Sequence, residues 1–210
     1  MVEIAVLVVA AVTVVWLVLY MRAQKPVTSA QQLIHQHRYE DAAALDARDS
    51  ASFLHRGEAL KLMGRFDDAI AAYRQSDDPA AIEGIALALA HLNRDLDQAQ
   101  RLMENTMNLY PQILEFQALG LAFILLRRGD REGALRLYRD NAELLETRFH
   151  DDYTDPDPLL AETLVMYAAL TEATGDHPRA AALRAKAAAW APGSVWGAGG
   201  GGGGWGKDEG

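Results

Sequence analysis

A ten-residue phrase, Gly-Arg-Phe-Asp-Asp-Ala-Ile-Ala-Ala-Tyr at Gly64–Tyr73, returns as Gly-Asp-Arg-Glu-Gly-Ala-Leu-Arg-Leu-Tyr at Gly129–Tyr138. It returns a third time, more degraded, from Gly175 to Leu183. A glycine that stops one helix, followed at fixed spacing by the small and aromatic residues of the next, specifies a helical hairpin. Repeating that unit specifies a stack of hairpins, because one hairpin alone cannot bury its apolar face. Stacks of this kind offer extended concave surfaces and suit binding better than catalysis.

The rest of the chain between Val27 and Pro192 agrees. Alanine and leucine are abundant, and no stretch alternates with period two. The apolar spacing predicts paired helices at residues 29–36 and 39–47, 51–63 and 66–75, 80–92 and 96–109, 112–127 and 131–147, and 159–174 and 178–190. Gly64, Gly129 and Gly175 stand where helices should stop, and Pro79, Pro111 and Pro192 stand at hairpin boundaries.

In the second unit Gly57, Leu60, Gly64, Phe66, Ala69 and Tyr73 fall at a spacing that resembles the tetratricopeptide repeat family. Leu96, Ala99 and Pro111 match in the third unit, and Gly129, Ala134 and Tyr138 in the fourth. Gly175, Ala180, Ala187 and Pro192 match in the fifth, while the first unit keeps Tyr39 and Ala42. The fold class expected is therefore all-α: a transmembrane helix followed by an α-solenoid of about five such hairpins. The close-contact alanines Ala42, Ala69, Ala99, Ala134 and Ala180 are 27, 30, 35 and 46 residues apart, so the units are unequal.

The N-terminus carries a different signal. Residues 4–21 hold 18 consecutive uncharged, mostly apolar side chains. As a helix they would span about 27 Å, the thickness of a bilayer's hydrocarbon core. A cleaved signal peptide is the competing reading, and a buried core helix is a third. Against the signal peptide stand the Met-Val-Glu start, which has no basic residue, and Arg22 and Lys25 directly after the run. Arg22, Lys25 and Arg38 follow the segment and only Glu3 precedes it, so the repeats are expected in the cytoplasm. The domains expected are an anchor and juxtamembrane segment at 1–25, repeats at 26–192 and a disordered Gly/Trp tail at 193–210.

Composition narrows the chemistry. A formal net charge of -9 disfavours nucleic acid, whose phosphates need a basic face. With no cysteine the chain forms no disulfide and has no thiolate metal site. His35 and His37 are two apart and point to different faces of a helix, which does not suit a shared metal. The insertion at 147–158 holds Asp151, Asp152, Asp155 and Asp157, but lacks the spacing of a calcium loop. It reads as a solvated loop in which Asp157 caps the next helix. The alternative function, a hydrolase or transferase built on this loop, lacks a nucleophile–base pair. The stretch from Gly201 to Lys207 imitates a phosphate loop only because it is mostly glycine, and Asp208 stands where a hydroxyl is required. No cofactor is expected.

The tail has two large apolar side chains, Trp196 and Trp205. It reads as mobile; the alternative is a tethered ligand docking on a partner, on the membrane interface or back into the groove. What the family resemblance implies for binding is a concave groove lined by the first helix of each unit. In that register Leu54, Glu58 and Lys61 face inwards, with Ala88 and His91, then Leu119, Phe123 and Arg127. Such a groove suits a helix or extended segment of a protein partner. The resemblance extends to membrane-anchored bacterial assembly proteins, so the function expected is a membrane-anchored scaffold or assembly factor rather than an enzyme.

Overall fold

The computed structural model describes residues 29–109, 114–147 and 155–197. Among them are ten α-helices and no strand, in the order the repeats predict. The first hairpin pairs α1 (Ala30–His35) with α2 (Tyr39–Ala44), and the second α3 (Ser50–Leu62) with α4 (Phe66–Tyr73). The third pairs α5 (Pro79–His91) with α6 (Leu96–Leu109), and the fourth α7 (Leu114–Arg127) with α8 (Arg131–Thr147). A 3-10 turn, Pro158–Leu160, leads into the fifth, α9 (Ala161–Ala173) with α10 (His177–Trp190). Each second helix packs on its partner and on the first helix of the next unit, the arrangement of a stack of helical hairpins.

The first helix of every hairpin ends in the same two-bond turn. Gly64 N–H donates to Lys61 O and Arg65 N–H to Leu60 O, and the pattern recurs at Gly129 and Gly175. In the first and third units a non-glycine residue takes the left-handed position, His37 at φ 58° and Asn93 at φ 50°. This Schellman geometry satisfies helix-end carbonyls and reverses the chain. The repeat is therefore more regular in backbone than in sequence.

The predicted close contacts are all tight. Ala42, Ala69, Ala99, Ala134 and Ala180 have no exposed surface. Tyr73 of α4 lies between two helices at their glycines. A Cβ added at Gly84 would come within 2.6 Å of its ring, and one at Gly57 closer still. Two of the first helices start with a capping box, Ser29 with Gln32 and Asp49 with Ser52. Asp157 accepts from Leu159 N–H at 2.9 Å, the capping role its position predicts, here on the 3-10 turn.

Two features depart from an open stack. Repeats in a solenoid touch only their neighbours, yet the fifth unit reaches the first three. The 3-10 turn packs against α1, and His35 Nδ1 lies 3.8 Å from Asp157. Glu162 at the start of α9 reaches α3 and α5, while α9 also lies along α7. The C-terminal boundary moves as well. The expected tail begins at residue 193, but 194–197 are packed on the body of the protein. Val195 N–H donates to Leu62 O at 2.7 Å, and Trp196 keeps 7% of its surface exposed. A composition-based boundary placed these residues with the glycines that follow, because the burial of one tryptophan leaves no periodic signal.

The apolar run at residues 4–21 lies outside the described residues, as do Asp151, Asp152 and Trp205. Among the described residues, no helix is long and apolar enough to cross a membrane.

Candidate functional site

The inner helices α3, α5 and α7 carry every residue expected to line the groove. Glu58 and Lys61 are one turn apart on α3, and Glu83 and His91 lie two turns apart on one stripe of α5. These two stripes face each other, and the first turn of α9 lies across them. Lys61 Nζ is 3.0 Å from Glu58 Oε2 and 2.6 Å from Glu162 Oε2. The other oxygen of Glu162 lies 2.6 Å from His91 Nε2. Tyr73 donates its hydroxyl to Glu58 Oε1 at 2.8 Å. One carboxylate, Glu162, is thus gripped at both oxygens by side chains from two different hairpins.

Burial and charge set the protonation of this cluster. Burial alone would lower the Lys61 ammonium, but the carboxylates of Glu162 and Glu58 outweigh it and hold it well above its ordinary value. Burial would raise Glu162; Lys61 and His91 reverse that and hold it at about 2. With Glu162 ionised it only accepts, so His91 donates from Nε2. Glu83 behaves in the opposite sense. Burial pushes it up to about 7 against the pull of Lys61. The Tyr73 hydroxyl is held well above its usual range, by burial first and Glu58 second.

Aromatic rings close the site on its other side. The His91 ring stacks on Phe66 at 5.1 Å between centroids, with Trp196 at 4.8 Å and Phe123 at 5.2 Å. Val195 beside that tryptophan sits on the turn at Gly64. The strap 194–197 therefore fills the space where the ends of α3 and α5 meet the start of α4. Its backbone bond takes the Leu62 carbonyl, which the two-bond turn leaves unused.

The residues expected along the groove divide by position. Glu58, Lys61 and His91 come together in the charged cluster, and Phe123 lies beside His91. Ala88, Leu119 and Phe123 are buried, at no more than 1% exposure. Leu54 is half-buried against the core, and Arg127 is half-buried at the end of α7. The inner face is thus covered by the protein's own fifth hairpin and strap instead of being open along its length. The contacts that cover it are those of Glu162 in the first turn of α9 with Lys61 and His91, and of Trp196 in the strap with Phe66 and His91.

Three contributors were not identified from the sequence as site residues. Glu162 looks like an ordinary first-turn acid, and Glu83 like an exposed one. Phe66 fits the repeat-packing aromatic of its unit. A signal for the cluster does exist at His91. It interrupts the apolar run from Ala86 to Leu92, where a polar side chain requires a partner. Sequence alone does not say which partner.

Among the described residues, no group of three or more histidine or acidic side chains is placed to hold a metal ion. Asp157 is engaged in capping and Asp155 is exposed.

No family model matches this chain, and no curated protein matches it. Solved structures do show similarity. One is described as MamA MSR-1 C2, with TM-score 0.46 and 18% sequence identity over 77% of this chain and 91% of that one. Another is BtubC (BKLC) from P. vanneervenii, with TM-score 0.45 and 16% identity over 74% of this chain and 71% of that one. Both similarities concern the helical arrangement alone.

Proposed function

We propose that this chain is a membrane-anchored scaffold whose helical repeats recruit a protein partner to a membrane-associated complex. The observation that carries the reading is the hairpin stack. Five inner helices end in one repeated turn and bring side chains distant in sequence onto a single face. Such a face recognises a helix or an extended segment by apolar anchors and a few placed charges. The uncharged run at residues 4–21 supports the bilayer attachment, and Arg22 and Lys25 after it support a cytoplasmic repeat domain.

Partner contact along the inner face would begin at Leu54, Glu58 and Arg127, which retain exposed surface. Lys61, Ala88, His91, Leu119 and Phe123 would join only where the fifth hairpin gives way.

The test uses the full chain. Membranes carrying it should retain it through an alkaline carbonate wash, and detergent extracts should yield a stoichiometric protein partner on co-purification. Release by carbonate would end the anchored reading. Recovery of the chain alone, under conditions that preserve known membrane complexes, would end the scaffold reading. A reporter active only outside the cytoplasm, fused after Pro192, should be silent; activity would reverse the topology.

A further inference from the structure

We propose that Lys61 of α3 and His91 of α5 form a carboxylate seat on the inner face, occupied in cis by Glu162. A partner helix bearing a glutamate at the matching position would take the place of α9. This deepens the scaffold reading and rests on it for the existence of a natural partner.

The chemistry of the interfaces is the first support. Within the stack hairpins 2 and 3 meet through small and aromatic side chains, with Tyr73 set against Gly57 and Gly84. The first turn of α9 instead meets α3 and α5 through polar groups: Glu162 pairs with Lys61 and hydrogen-bonds to His91, both at 2.6 Å. A buried ion pair gains little over apolar packing of the same volume, because desolvation offsets most of its attraction. Parting it returns those ions to water. Parting an apolar interface returns nothing. At the first turn of α9 the contact is therefore of the kind that separates at least cost, while Trp196 and Val195 of the strap add apolar contact beside it.

The second support is the stereochemistry of the seat. Lys61 and His91 approach different oxygens of one carboxylate, and Glu58 steadies the ammonium from behind at 3.0 Å. Glu58 itself is fixed by the Tyr73 hydroxyl. Tyr73 is wedged between Gly57 and Gly84, so the receptor side is built from hairpins 2 and 3 and does not depend on α9 for its shape. The occupant supplies one acidic group at a helix start and an apolar face behind it: Val165, Met166 and Leu170 pack into the core. That pattern defines the partner class as an amphipathic helix with an N-terminal glutamate.

The experiment measures binding of a fluorescein-labelled synthetic peptide with the sequence of residues 158–174 to the full chain in detergent micelles, by fluorescence polarisation. The Glu162→Gln chain should bind the peptide at least about ten-fold more tightly than the wild-type chain, a difference of about 1.4 kcal/mol. A peptide with the same glutamate changed to glutamine should lose that gain. Equal binding by both chains, or equal binding of both peptides, would overturn the proposal. Hydrogen exchange on the wild-type chain gives a reading that needs no variant. Amides of α9 should open at lower free energy than those of α3, α5 and α7. Exchange of all four helices as one unit would overturn displacement even if Glu162→Gln failed to fold. A chain that binds the peptide but recovers no partner from membranes would keep the seat and lose the scaffold reading.

Discussion

At the scale of single residues, three glycines that look equivalent in sequence do different work. Gly64, Gly129 and Gly175 all sit at positive φ, at 75°, 86° and 96°. A side chain in that region costs about 1 kcal/mol at each. Around Gly129 and Gly175 a Cβ would find open space, whereas at Gly64 it would lie 3.2 Å from a methyl group of Val195. Gly64→Ala should therefore destabilise the protein more than Gly129→Ala, by roughly a further 1 kcal/mol of overpacking. Urea unfolding of the two variants decides it. Equal midpoint shifts would mean that the strap yields freely at Val195. The first and third units show why local identity is a weaker guide than local geometry. His37 and Asn93 occupy the same left-handed position with the same pair of hydrogen bonds. Asparagine tolerates that region better than most residues, and the histidine ring lies 3.0 Å from the Tyr39 hydroxyl.

At the scale of elements, most of what the chain does locally was legible in its sequence. Helices Leu96–Leu109 and Arg131–Thr147 have the ends their apolar spacing predicts, and the others differ by three residues or fewer. The alanine register was legible because a close helix contact admits only small side chains. The inner face was legible as a stripe but not as a cluster. Periodicity places Lys61 and His91 on the inward side, while Glu162 reaches them from 71 residues beyond His91. No local pattern encodes that distance. Phe123 illustrates the consequence. Its place on α7, one turn from Leu119, fits either a binding anchor or a core residue. With 1% of its surface exposed, it is packed like the core. Phe123→Ala should cost about 3–5 kcal/mol of stability. Thermal melting of the variant checks this; an unchanged transition would show that the inner face opens readily enough to leave the ring solvated.

At the scale of the whole molecule, the chain folds its last hairpin and strap across the inner face of its first three, and both charge and aromatic packing join the two parts. Stability should therefore respond to pH through that joint. The folded protein raises Glu83 from 4.5 to about 7, so it binds this proton more tightly than the unfolded chain does. The stabilisation is complete below the unfolded value and is lost as pH rises through about 7. Glu162 is lowered from 4.5 to about 2, so its contribution is complete above the unfolded value and lost as pH falls towards 2. The two slopes oppose each other, and stability attributable to the cluster should peak near pH 4.5–5. The neutral limb should be worth roughly 1–3 kcal/mol between pH 5 and 8, or about 2–10 °C in Tm for a domain of this size. Glu83→Gln, which keeps the shape of the neutral acid, should flatten the neutral limb and leave the acid limb in place. Glu162→Gln should do the reverse, and it should also free α9 to exchange its amides. Melting curves from pH 3 to pH 8 on the three proteins test both halves. A wild-type Tm that climbs steadily from pH 5 to pH 8 would show that Glu83 is solvated in the folded state. The charged joint would then be reduced to Glu162 with Lys61 and His91, and the fifth hairpin would be held at neutral pH by that single carboxylate.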